Sequence, residues 1–70
     1  MDPDACLDRF FDALMRKDWS EVREASSDYR SWVTNGGCKG ARHALWWNAV
    51  TVKGSWNAVR NYVIAQELTR

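Results

Sequence analysis

Asp2-Pro3-Asp4-Ala5-Cys6-Leu7-Asp8-Arg9-Phe10-Phe11-Asp12-Ala13-Leu14-Met15-Arg16-Lys17-Asp18 is the stretch whose reading decides the fold. Asp2 stands where an N-cap accepts orphan backbone donors, and Pro3 at the first helical position loses nothing by lacking an N–H. Leu7, Phe10, Phe11, Leu14 and Met15 recur at i, i+3, i+4, i+7 and i+8, one apolar stripe, while Asp4, Asp8, Arg9, Asp12 and Arg16 take the other face. Arg16 and Lys17 complement the negative end of the helix dipole. Asp18 and Glu21 then have the spacing of a capping box for a second helix, with Val22, Ala25, Tyr29, Trp32 and Val33 along its inner side. Asn35-Gly36-Gly37 stops that helix with residues that tolerate a left-handed backbone. So short a connection forces the two helices antiparallel, and a hairpin of residues 3–17 and 19–35 is the expected foundation.

Beyond Cys38-Lys39-Gly40 two readings compete. Ala44, Leu45, Ala49 and Val52 have helical spacing, which predicts a helix over 41–51, yet the β-branched run Val50-Thr51-Val52 also suits an extended strand. Lys53-Gly54 breaks the pattern, and Ser55 caps a further helix with Trp56, Val59, Tyr62, Val63 and Gln66 on one face. The expected fold is an all-α bundle of three or four short helices, the segment 41–69 covering the hairpin. The alternative is an α+β domain with a short β-hairpin turning at Lys53-Gly54. Trp-Asn-Ala-Val occurs twice, from Trp47 and from Trp56. An offset of nine residues is about two and a half turns and would put the copies on opposite sides of one continuous helix. Two separate helices, each turning its Trp and Val inward, are therefore expected.

Seventy residues make one domain, 1–70, near the lower limit for a core without staples or oligomerisation, since so short a chain buries only about 60% of its unfolded surface. With 46% hydrophobic residues, one Pro and four Gly, the composition is globular. Lys53 and Arg60 interrupt the most apolar third, which excludes a spanning helix there. The acidic opening Met1-Asp2-Pro3-Asp4 lacks the basic start of a secretion signal, so a cytoplasmic location is expected.

The net charge of +1 conceals an asymmetry. Residues 1–37 hold eight acids against five bases, whereas residues 38–70 hold five bases and His43 against Glu67 alone. The basic half also holds Trp46, Trp47 and Trp56, a combination that suits nucleic acid. The competing reading is that the two halves attract each other within the fold.

Catalytic constellations are absent: there is one His and no nucleophile elbow, phosphate loop or zinc-protease motif. Cys38 and His43 supply a nucleophile and a base, but no carboxylate is spaced to orient them, so no enzyme is expected. Cys6, Cys38 and His43 are soft ligands without paired metal-site spacing, so neither metal nor cofactor is expected. The hairpin brings Cys6 and Cys38 toward each other, within reach of an oxidant-induced disulfide, though both should be reduced in a cytoplasmic protein.

Five Trp are more than a core this small uses, and adjacent Trp46 and Trp47 do not both fit one buried helix face. Ile64 and Leu68 fall opposite the Val59 and Val63 side, among Asn57, Arg60, Asn61 and Glu67. Trp46 or Trp47 together with Ile64 and Leu68 are therefore the expected partner-binding patch. The function this implies is a small protein-binding or self-associating helical module, a homo-oligomer that neither catalyses nor enters a membrane. The alternative is nucleic-acid binding through Arg42, Trp47, Lys53 and Arg60, with bases stacked on the indole beside the cations.

Overall fold

The computed structural model describes residues 2–52 and 54–68, which form four helices in chain order: α1 (Pro3–Arg16), α2 (Trp19–Thr34), α3 (Ala41–Val50) and α4 (Trp56–Leu68). The chain is all-α, with a strand nowhere among the described residues. The β-hairpin alternative is thus corrected. Thr51 keeps helical dihedrals at φ −88° and ψ −6°, and the Val52 N–H donates to the Ala49 carbonyl at 3.1 Å. One more turn of helix satisfies these backbone groups locally, where a strand would have needed a partner.

Local chemistry starts and stops the first two helices. The Asp2 carboxylate accepts from the Ala5 N–H at 2.8 Å, and Lys17 closes α1 in the left-handed region at φ 63° and ψ 28°. That conformation costs a non-glycine residue roughly 1–2 kcal/mol. It turns the chain so tightly that the Asp18 N–H donates back to the Ala13 carbonyl at 3.0 Å while the Asp18 carboxylate already caps α2 through the Glu21 N–H. The expected capping box is only half built. The Glu21 carboxylate turns instead to Arg9 Nε at 2.8 Å, a charge-assisted bond that reaches across to α1. At the far end Gly36 and Gly37, at φ 85° and 88°, release the chain from α2.

The hairpin core consists of Cys6, Leu7, Phe10, Ala13 and Leu14 from α1 against Val22, Ala25, Ser26 and Tyr29 from α2. Arg9 clamps one edge, reaching Glu21 at 2.8 Å, Glu24 at 3.9 Å and Asp28 at 3.0 Å. Glu21 and Asp28 together raise the Arg9 pKa further above its ordinary value. Trp32, expected on the inner side of α2, is instead exposed, because that side runs through Tyr29 and Val33, and Trp32, a residue before Val33, is turned about 100° from it.

Trp46 and Ala49 of α3 and Val59 and Val63 of α4 close the core over the hairpin. The expected inner face of α3 needs correction: Ala44 is exposed, Leu45 and Val52 are half-buried, and the indole that points inward is Trp46. The two Trp-Asn-Ala-Val copies therefore sit differently, Trp47 facing out while Trp56 is half-buried and edge-on to Phe10 at 6.4 Å. Gly54, at φ 122°, makes the turn between α3 and α4, and Ser55 Oγ accepts from the Ala58 N–H at 3.4 Å. Lys53 lies outside the described residues. Both cysteines are free thiols, Cys6 buried and Cys38 half-buried. Burial, and then the nearby Asp28 carboxylate, raise the pKa of Cys6 and keep it an apolar core group.

Candidate functional site

Trp46 is the pin that fixes the orientation of everything on α3. It has no exposed surface, and its indole N–H donates to Ser26 Oγ at 3.2 Å, which satisfies both buried groups at once. Tyr29 meets the ring edge-on at 4.7 Å, His43 stacks at 6.0 Å, and the Arg30 guanidinium lies 5.8 Å from the ring centre. Trp46 was expected among the partner-contacting residues; it is a core residue, because Ser26 and Tyr29 on α2 complement its polar and aromatic parts. Trp47, 6.1 Å away and 53% exposed, is the indole at the surface.

Tyr29 and His43 share a 2.7 Å hydrogen bond between the hydroxyl and Nδ1. Burial, followed by hydrogen bonding to Cys38, pushes the Tyr29 pKa up to about 12. The folded state therefore keeps a proton that the unfolded chain gives up near the ordinary tyrosine value, about pH 10. The stability this contributes is complete below about pH 10 and is lost as pH rises toward 12. In alkaline titration the melting temperature should fall across that window, and Tyr29→Phe should flatten the fall. An unchanged slope in Tyr29→Phe would assign the alkaline loss to other groups.

The sequence-expected contact residues Ile64 and Leu68 do come together, in a groove of about 490 Å³ between α1, α3 and α4. Phe11, Met15, Leu45 and Val63 form the rest of its apolar wall, and the charged Asp8, Arg42 and Glu67 stand among its lining. Ile64 was expected on a polar outer face, but it is half-buried, since Phe11 and Met15 extend the α1 stripe past the edge of α2 and rise beside it. Leu68 is 80% exposed and Met15 39%. Trp47 does not line this groove, so it and Leu68 are separate features and not one patch. Sequence reasoning placed Phe11 and Met15 in the core; their i, i+4 spacing at the edge of a wide stripe was the available signal.

The four residues of the nucleic-acid reading are not gathered. Arg42 is ion-paired with Asp8 and lies over the Phe11 ring at 6.0 Å, beside the groove. Trp47 is five residues further along α3, about 140° around the helix. Arg60 buries its Nε without a hydrogen-bond partner, and Lys53 is outside the described residues. The pair of Arg42 with Asp8 also shows one way the basic and acidic halves of the chain do meet.

A different charge pattern runs along α2. Glu21, Glu24 and Asp28 form one flank, toward Arg9. Arg23 and Arg30 form another, where with Ser26, Ser27 and Trp56 they line a cleft of about 240 Å³. Among the described residues there is no group of three or more His, Cys, Asp or Glu able to hold a metal, and no helix long and apolar enough to cross a membrane. No family model, curated protein or solved structure matches this chain.

Proposed function

We propose that this chain is a non-catalytic, self-associating module of the cytoplasm, and that the groove between α1, α3 and α4 is where a second copy docks. The observation that supports this is the placement of Met15 and Leu68, two of the large apolar side chains left exposed, on the walls of one apolar groove. Exposed apolar residues scattered singly need no explanation; converging on one concavity they mark a contact surface. A second copy is the favoured occupant because the groove lining carries both signs of charge, Asp8 and Glu67 with Arg42, around an apolar floor. Such a surface suits a two-fold axis, across which residue i of one copy meets residue j of the other. A domain of this size also gains from burying a further apolar face.

The test is association in Met15→Lys/Leu68→Lys. Both positions are exposed, so the substitutions should change stability by no more than about 0.5 kcal/mol each. Sedimentation velocity over a concentration series should show the wild-type chain dimerising and the double variant monomeric at every concentration, with unchanged helicity. A wild-type monomer throughout, or a variant that dimerises as well as wild type, would remove the proposal. Ile64→Lys is the less clean variant, because Ile64 is half-buried and its loss disturbs α4 as well as the groove.

A further inference from the structure

The six described arginines divide into two sets. Arg9, Arg16 and Arg42 are ion-paired with carboxylates of α1, the α1–α2 turn and α2. Arg23, Arg30 and Arg60 form no ion pair among the described residues. Nine acidic residues are present, so the division is one of placement and not of supply. The acids of α2 line its α1 flank and leave the other flank to arginine alone.

Aromatic rings interleave with that unpaired charge. Trp56 stands in the same cleft as Arg23 and Arg30, with the Ser26 and Ser27 residues between them. Arg30 lies over the ring of Trp46, and Trp46 in turn abuts the exposed Trp47. An arginine stacked on an indole keeps its N–H fork in a fixed plane, ready for the bidentate bonds that phosphate oxygens accept. Arg23 and Arg30 are seven residues apart, two turns or about 10.5 Å along the helix axis, so they reach successive anionic groups of an extended polymer and not one isolated anion.

We propose that the α2 flank bearing Arg23 and Arg30, with Trp56 in the same cleft and the exposed Trp47 next to the Trp46 ring that Arg30 covers, is a binding surface for single-stranded nucleic acid. Arg23 and Arg30 take the phosphates, the exposed Ser27 hydroxyl offers a further donor, and the exposed face of Trp47 stacks an unpaired base. A double helix is the poorer partner, because its bases are already stacked and a flank with so few cations meets few of its phosphates. This surface is separate from the groove assigned to self-association, so either can fail without the other.

The experiment titrates fluorescently labelled oligothymidylate and oligouridylate with the wild-type chain and reads anisotropy, with an unlabelled duplex, inorganic pyrophosphate and phosphatidylglycerol vesicles as competitors. Binding should weaken roughly 7- to 18-fold between 50 and 200 mM salt, as expected when two or three phosphates are neutralised on a single strand. Arg23→Gln and Arg30→Gln should each weaken it and lower the salt slope by about 0.7. Trp47→Ala should weaken it roughly 5- to 150-fold through loss of one stacked base. Arg16→Gln, which removes an acid-paired arginine, should leave it unchanged. Arg30 covers Trp46, so circular dichroism accompanies that variant; Arg23 and Trp47 are exposed and carry the test if it unfolds. The proposal is overturned by an absence of oligonucleotide binding at 50 mM salt, or by binding that survives Arg23→Gln and Trp47→Ala together. It is equally overturned by competition in which duplex or anionic vesicles outrank the single strand.

Discussion

Phe10→Ala should leave the chain without a cooperative thermal transition. Phe10 has no exposed surface, meets Phe11 edge-on at 5.2 Å and Trp56 at 6.4 Å, and so touches both its own helix and α4. Truncating a buried Phe costs about 3–5 kcal/mol, transfer and cavity together. A domain this small sits near the bottom of the usual stability range, about 5 kcal/mol, so the loss consumes most of what is there. Phe11→Ala, on the half-buried edge of the same stripe, should cost only about 1–2 kcal/mol and preserve the fold. Urea titration followed by circular dichroism separates the two. Equal losses would mean that the groove beside Phe11 is closed by packing and is not open to a partner.

The second large effect belongs to Trp46. Trp46→Ala should cost about 3–5 kcal/mol, since it empties the contact with Tyr29 and detaches α3 from α2. Ser26→Ala should cost about 1–3 kcal/mol although it removes a single oxygen, because the buried indole N–H is then left without an acceptor. Trp47→Ala should cost no more than about 1 kcal/mol, its ring being mostly in solvent. The order matters more than the values. Greater damage from Trp47→Ala than from Trp46→Ala would require α3 to be turned by a residue's rotation, about 100°.

The hairpin is legible in the sequence because its signals are local. Asp2 caps α1, Asp18 caps α2, Gly36 and Gly37 end it, and a clean polar face opposes the apolar stripe of α1. The orientation of α3 is not legible in the same way. Ala41, Ala44, Leu45, Trp46, Trp47, Ala49 and Val50 leave that helix without a continuous polar side, so periodicity offers no phase. The phase is set by tertiary partners, above all Ser26, whose value as a buried acceptor emerges only when an indole N–H arrives opposite it. Ile64 and Leu68 were recognisable as misplaced apolar residues, whereas their companions Phe11 and Met15 were hidden in a stripe that looked wholly internal. The flank of Arg23 and Arg30 was missed for another reason. Summing charge over halves of the chain assigns both arginines to the acidic half, averaging over helix sides that face different surroundings.

The pin formed by Trp46 and Ser26 also orders events in time. During synthesis α1 and α2 are finished first, and their contacts are short-range in sequence, so the hairpin is able to collapse as soon as both helices have left the ribosome. At that moment Ser26 and Tyr29 face water across a floor with no roof. Twelve more residues carry the chain from Thr34 to Trp46, which at 5–20 residues per second leaves the nascent chain uncovered for roughly 0.6–2.4 s. The interval ends when Trp46 emerges, and a nascent chain stalled just before that residue would present to chaperones the apolar surface that the finished protein keeps inside.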